Sequence, residues 1–158
     1  LNWNLGGSTK QHQVNECTVI ELKNGDLLLN MRNYTDDRLR KLSLSKDQGI
    51  SWGDIFSDES LIEPICQASM INIHRPFKKE LIAFSNQNSE NAREKMTIQF
   101  SLDQAETWSQ KILIHEGPSA YSNLVQLSNN EIACLFEGGI KSAYEGIAFK
   151  KIKIRDIK

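Results

Sequence analysis

The stretch SKDQGISWG, Ser45–Gly53, returns 56 positions later as SLDQAETWS, Ser101–Ser109. Both copies read Ser-x-Asp-Gln-(Gly/Ala)-x-(Ser/Thr)-Trp, and two unrelated turns would not repeat Ser, Asp and Trp in register. A period near fifty residues decides the fold more directly than local propensity does, because each repeat is one supersecondary unit stacked on its neighbours. Each copy follows a short apolar run, so each is a turn at the end of a strand. Asp47 and Asp103 are the residue type that accepts backbone N–H bonds and holds such a turn. Gly49 reaches positive φ at little cost, and Ala105 at the matching place does so less readily. Trp52 and Trp108 are expected to be apolar plugs between neighbouring sheets. The motif is a scaffold device rather than a catalytic one.

Outward from the repeat, short strands alternate with polar turns. TVIEL (Thr18–Leu22) leads through Asn24-Gly25, a hairpin signal, into LLLNMRNY (Leu27–Tyr34). RKLSLS (Arg40–Ser45) carries the chain to the first repeat. QASMINI (Gln67–Ile73), ELIAFS (Glu80–Ser85) and MTIQFS (Met96–Ser101) carry it to the second. SNLVQL (Ser122–Leu127), IACLFE (Ile132–Glu137) and GIAFKKIKI (Gly146–Ile154) follow, the last alternating as a half-exposed strand does. Strands with short turns and no crossover helices make an antiparallel all-β protein, and strands grouped around the repeat make propeller blades.

Composition narrows the function classes. The 158 residues suffice for a hydrophobic core, and 39% hydrophobic with 25% charged content is ordinary for a globular chain. A formal net charge of −1 provides no field for nucleic acid or an anionic membrane, and no apolar run reaches spanning length. Cys17, Cys66 and Cys134 lie in apolar stretches without C-x-x-C spacing and read as buried free thiols. Histidine spacing suggests no metal site, and no cofactor is called for. Arg38, Arg40, Arg75 and Arg155 read as surface charges.

The repeat S-x-D-x-G-x-x-W resembles the Asp box of sialidases and related propellers. LNWNLGG then places Trp3 where a third box would end, 49 residues before Trp52. NECTVIEL, NMRNY, PICQAS, ENAREKMTIQFSLD, AYSNL and CLFEGG each resemble, in this order, a segment of the catalytic half of exo-α-sialidases. The resemblance implies about three antiparallel blades of a six-bladed sialidase-type β-propeller. Residues 1–158 would be one partial domain, and its partner would be the N-terminal half of the ring.

It also implies a site. Sialic acid carries a carboxylate on its anomeric carbon, so an anionic nucleophile meets repulsion there that a neutral tyrosine hydroxyl avoids, provided a base takes its proton. By resemblance Tyr121 is the nucleophile and Glu16 the base. Read from the residues alone, Tyr121 is a half-buried turn tyrosine and Glu16 a solvated glutamate before a strand; only the resemblance gives them these roles. Arg32 and Arg93 match the second and third arginines of the family's carboxylate clamp, a task suited to planar guanidinium groups. Arg32 ends an apolar strand, where an unpaired charge is costly, so a partner is expected. Glu137 resembles the glutamate that orients the first arginine, and Gln67 is expected to line the substrate pocket. The first arginine and the general-acid aspartate have no counterpart in this chain, which by itself is expected to be inactive. The implied function is retaining hydrolysis of terminal sialic acid from glycans or glycoproteins, in a secreted, periplasmic or lysosome-like setting. The alternatives are a non-catalytic sialoglycan-binding propeller and a truncated structural remnant.

Overall fold

A computed structural model describes residues 2–10 and 13–157, and its ten strands pair antiparallel throughout in two sheets. The first sheet runs in chain order through β1 (Val14–Glu21), β2 (Leu27–Asn33), β3 (Leu39–Ser45) and β4 (Phe56–Ile62). The second contains β5 (Ser69–Ile73), β6 (Leu81–Gln87), β7 (Glu94–Ser101), β8 (Gln110–Ser128), β9 (Glu131–Gly138) and β10 (Ile147–Lys153). β8, 19 residues long, serves two units: it pairs with β7 up to Pro118 and with β9 from Ser119 onward. The six-stranded sheet is therefore two blades sharing one strand, and the whole is a curled all-β partial propeller, as the repeat implies. Among the described residues no helix is long and apolar enough to cross a membrane.

Two stretches escape the sequence reading. β4, FSDESLI, is the outer strand of its blade, and its polar residues follow from an edge that stays partly in water. The first half of β8 ends in Gly117-Pro118, which reads as a break. Pro118 is tolerated because it stands opposite Glu94 at the last pair before β8 passes to β9.

The blades adhere through their inward faces. Ile20, Leu28, Leu42 and Leu61 of the first pack against Met70, Ile82, Phe84 and Trp108 of the second. Ile98 and Phe100 of the second meet Leu124, Ile132 and Phe136 of the third. Each such side chain removed from water contributes about 1.5–3 kcal/mol.

The two repeats fold alike because their hydrogen bonds are local. Ser45 Oγ donates to Asp47 Oδ1 and accepts from Gly49 N, both at 2.8 Å, while Asp47 also accepts from Ser51 N at 2.8 Å and Ser51 Oγ at 2.5 Å. Ser101, Asp103, Ala105 and Thr107 reproduce this set at 2.8, 2.8, 2.9 and 2.5 Å. The bonds from Ser51 and Ser45 draw the Asp47 carboxyl down to about 2. Gln48, Gly49, Gln104 and Ala105 all have positive φ. A Cβ on Gly49 would meet only ordinary contacts, at 3.7 and 4.0 Å, so Gly49→Ala isolates the backbone term. Gly49→Ala is expected to lose about 1 kcal/mol, and Ala105→Gly to gain about 0.5–1 kcal/mol, in urea denaturation. Equal and opposite shifts would not be required, but the same sign for both would contradict this account.

The tryptophans divide. Trp108 is buried between the first two blades, and its Nε1 donates to Asp58 Oδ2 at 2.9 Å. Gln104 Oε1 accepts from Lys23 N at 2.6 Å, so the second repeat bolts one blade to the other. Trp52 is only half-buried and Trp3 is 93% exposed, and neither joins a core cluster among the described residues. The plug expectation is therefore met by Trp108 and not by Trp52, which packs into no core cluster among the described residues. Segment 2–10 instead touches the first repeat through Gly7 N and Gly49 O at 2.8 Å.

Three further expectations are corrected. Arg40 is fully buried, not at the surface: it pairs with Glu63 at 2.6 Å and donates to Asn30 Oδ1 and Cys66 O, each at 2.7 Å. Arg75 is 5% exposed and caps the carbonyls of Ile157 and Lys79 at 3.0 Å. Cys17 is exposed because it occupies an outward position of β1, while Cys66 and Cys134 are buried and free.

Candidate active site

The register separates two ends of the molecule. The repeats connect β3 to β4 and β7 to β8, so they lie at the end where β3 and β7 finish. Antiparallel pairing sends the start of β1, the end of β2, the start of β7, the middle of β8 and the end of β9 to the other end. Glu16, Arg32, Arg93, Tyr121 and Glu137 all sit there. A cavity of about 800 Å³ at the repeat end, beside Phe56, Asp58 and Gln104, reaches none of them.

A bulge aims Glu16. Glu16 and Cys17 of β1 stand opposite the single Met31 of β2, and Glu16 has φ +37°. Bulges re-aim side chains, and a non-glycine residue is held at positive φ only where its surroundings demand it. Here the demands are visible. Arg32 Nη1 donates to Glu16 Oε2, forming an ion pair, and the Tyr121 hydroxyl donates to Glu16 Oε1. Arg32 thus has the partner its apolar strand calls for. Its guanidinium also lies over the Tyr34 ring, 4.7 Å from the centroid, and its buried Nε has no partner among the described residues. Tyr34 escapes the sequence reading, although a tyrosine two positions beyond Arg32 on an extended strand shares its side.

The other residues surround this triad. Glu137 Oε2 accepts from Tyr121 N at 3.0 Å, so it anchors the backbone that carries the hydroxyl. Gln67 brackets the next residue, accepting from Ser122 N at 2.9 Å and donating to Ser122 O at 3.0 Å. Gln67, Tyr121 and Glu137 line one hollow of about 280 Å³ with Phe136 and Ile147. Arg93 touches none of the three directly. Its Nη2 donates to Ile65 O at 2.9 Å and its Nη1 to the Tyr144 hydroxyl at 2.8 Å. Ile65, a β-branched residue at φ +56°, is an outlier held between the Glu63–Arg40 pair and Gln67.

The charges cooperate. Burial alone would raise the Glu16 carboxyl, but the bonds from Tyr121 and Arg32, with Arg93's charge in reach, hold it below its ordinary 4.5. The bond to Glu16, then burial, raises the Tyr121 phenol above its ordinary 10. Burial would lower Arg32, yet its pairing with Glu16 outweighs that and raises it. At neutral pH the arrangement is a neutral phenol donating to an ionised carboxylate beside two guanidinium groups. Such a phenol does not ionise unaided, but a carboxylate in contact can take its proton as the oxygen attacks.

A family model described as a BNR repeat-like domain matches residues 1–134. Over 163 residues the chain is 31% identical to a sialidase of Bacteroides fragilis, covering 99% of this chain and 29% of that protein. Over 136 residues it is 30% identical to a sialidase of Micromonospora viridifaciens, covering 83% and 21%. The solved structure of a Hadza microbial sialidase superposes with a TM-score of 0.79 at 31% identity, over 90% of this chain and 28% of that one. The chain spans under a third of the length of these relatives. With the paired repeats, the blades and this extent of match, the chain belongs to the BNR repeat-like domain family and carries part of its sialidase-type β-propeller fold.

Proposed function

We propose that this chain is the nucleophile-bearing part of a retaining exo-α-sialidase. The contact that supports this most is the hydrogen bond from the Tyr121 hydroxyl to the Glu16 carboxylate, itself held by Arg32. The substrate's carboxylate would be received by Arg32 and Arg93. Tyr121 oxygen would attack the anomeric carbon as its proton passes to Glu16, the glycosidic bond would break, and a sialyl-tyrosine would form. Water would then release sialic acid with retention. The acid that protonates the leaving oxygen and the first clamp arginine would come from sequence outside residues 1–158, within the same ring.

The test is covalent capture. The longest chain carrying this segment, incubated with a difluorinated sialoside that slows breakdown of the intermediate, is expected to gain one sialyl adduct on Tyr121, located by peptide mass spectrometry. An adduct on another residue overturns the assignment. Binding of sialic acid with no adduct and no turnover would favour a glycan-binding propeller instead.

A further inference from the structure

The β9–β10 connection, residues 139–146, folds against the candidate site. Ala143 is buried against Cys66 and Ala120, the sequence neighbours of Gln67 and Tyr121. Glu145 turns its carboxylate into the loop and accepts N–H bonds from Ile140, Lys141 and Ser142 at 3.0, 2.7 and 2.8 Å. Successive backbone N–H groups closing on one anion make a rigid nest. Gly139 has no room for a side chain, since a Cβ there would lie 2.2 Å from Ser142 O and 2.7 Å from the Glu145 side chain. The loop therefore holds Tyr144 at a set position, with its hydroxyl 2.8 Å from Arg93 Nη1.

The consequence for Arg93 is orientational. A guanidinium on a long stem loses rotamer freedom when it binds an anion, and that loss weakens binding. Acceptors on both terminal nitrogens, Ile65 O and the Tyr144 hydroxyl, fix its plane beforehand. A tyrosine oxygen that accepts from a cation still has its own proton to donate, and accepting strengthens that donation.

We propose that Tyr144 is a further substrate-binding residue: it fixes the Arg93 guanidinium and gives its phenolic proton to the same carboxylate that Arg93 receives. The identity of that carboxylate rests on the sialidase reading; the positioning of Arg93 does not. Tyr144 is 65% exposed, so Tyr144→Phe keeps the ring and leaves the fold intact. In the longest chain, Tyr144→Phe is expected to raise KM for a fluorogenic sialoside about 3- to 10-fold with kcat within about twofold. In an Arg93→Lys background the same change is expected to add little, because the partner it positions is gone. In the same longest chain, nitrogen-15 NMR of the Arg93 side chain is expected to show faster guanidinium rotation in Tyr144→Phe. An unchanged Arg93 signal, an unchanged KM, or full additivity with Arg93→Lys overturns the proposal. If the wild-type protein neither binds nor cleaves sialosides, the sialidase reading falls, and the Arg93 signal still decides whether Tyr144 positions that residue.

Discussion

Tyr121→Phe is expected to lower sialoside turnover in the longest chain by about 10³-fold or more while leaving sialic acid binding within a few-fold. The substitution removes one oxygen. Under the proposed reading that oxygen, which donates to Glu16 Oε1, is the one that bonds to the sugar, so its loss would delete a step rather than weaken one. The ring, its exposure and the Glu137 anchor on the backbone remain. Arg93→Lys is expected to behave differently, acting mainly on KM, because a planar fork also contributes to ground-state binding of a carboxylate. Steady-state kinetics with a fluorogenic sialoside separates the two. A Tyr121→Phe enzyme with kcat within tenfold of wild type would show that another group forms the covalent bond, or that none does.

Glu63→Ala is expected to destabilise the protein by about 3–5 kcal/mol, a large share of the 5–15 kcal/mol typical of a folded domain. Glu63 and Arg40 have side-chain exposures of 1% and 0%. Burial presses the Arg40 guanidinium toward losing its proton, and the Glu63 carboxylate opposes this. Removing Glu63 leaves that charge buried and also strips an acceptor from Asn33 N and Nδ2, at 3.0 and 3.2 Å. The double change Arg40→Met with Glu63→Leu is expected to recover most of the loss, since two buried charges are replaced by apolar volume. Denaturation midpoints measure both. A Glu63→Ala loss below about 1 kcal/mol would mean that water reaches the pair and that the network is not dry. The same variant should loosen the 63–67 segment, whose Ile65 carbonyl holds Arg93 and whose Gln67 brackets Ser122.

Local spacing along the chain encodes the repeats and most of the strands. The repeats are legible because the bonds that tie each Ser and Asp to the turn run two or four residues along the chain, so spacing alone carries that geometry. Apart from β4 and the first half of β8, the strands were legible from their apolar runs, and Arg32's need for a partner followed from a charge in such a run. The roles of Glu16, Tyr121 and Arg93 came from resemblance, because no local rule distinguishes them from other surface residues. Which groups meet is set by the packing of one blade on the next. Tyr121 and Glu16 are separated by 105 positions and come together through the rotation between blades, which no short window of sequence records. Arg40 looked like a surface charge because its acceptors, Glu63 and the Cys66 carbonyl, lie 23 and 26 positions away. Tyr144 stands in a polar loop that local reading sends to solvent. It faces Arg93 because Glu145 folds that loop inward and Ala143 seals it against Cys66 and Ala120. Local hydrogen bonding makes the blades readable from the chain, whereas long-range packing of one blade on the next makes the site.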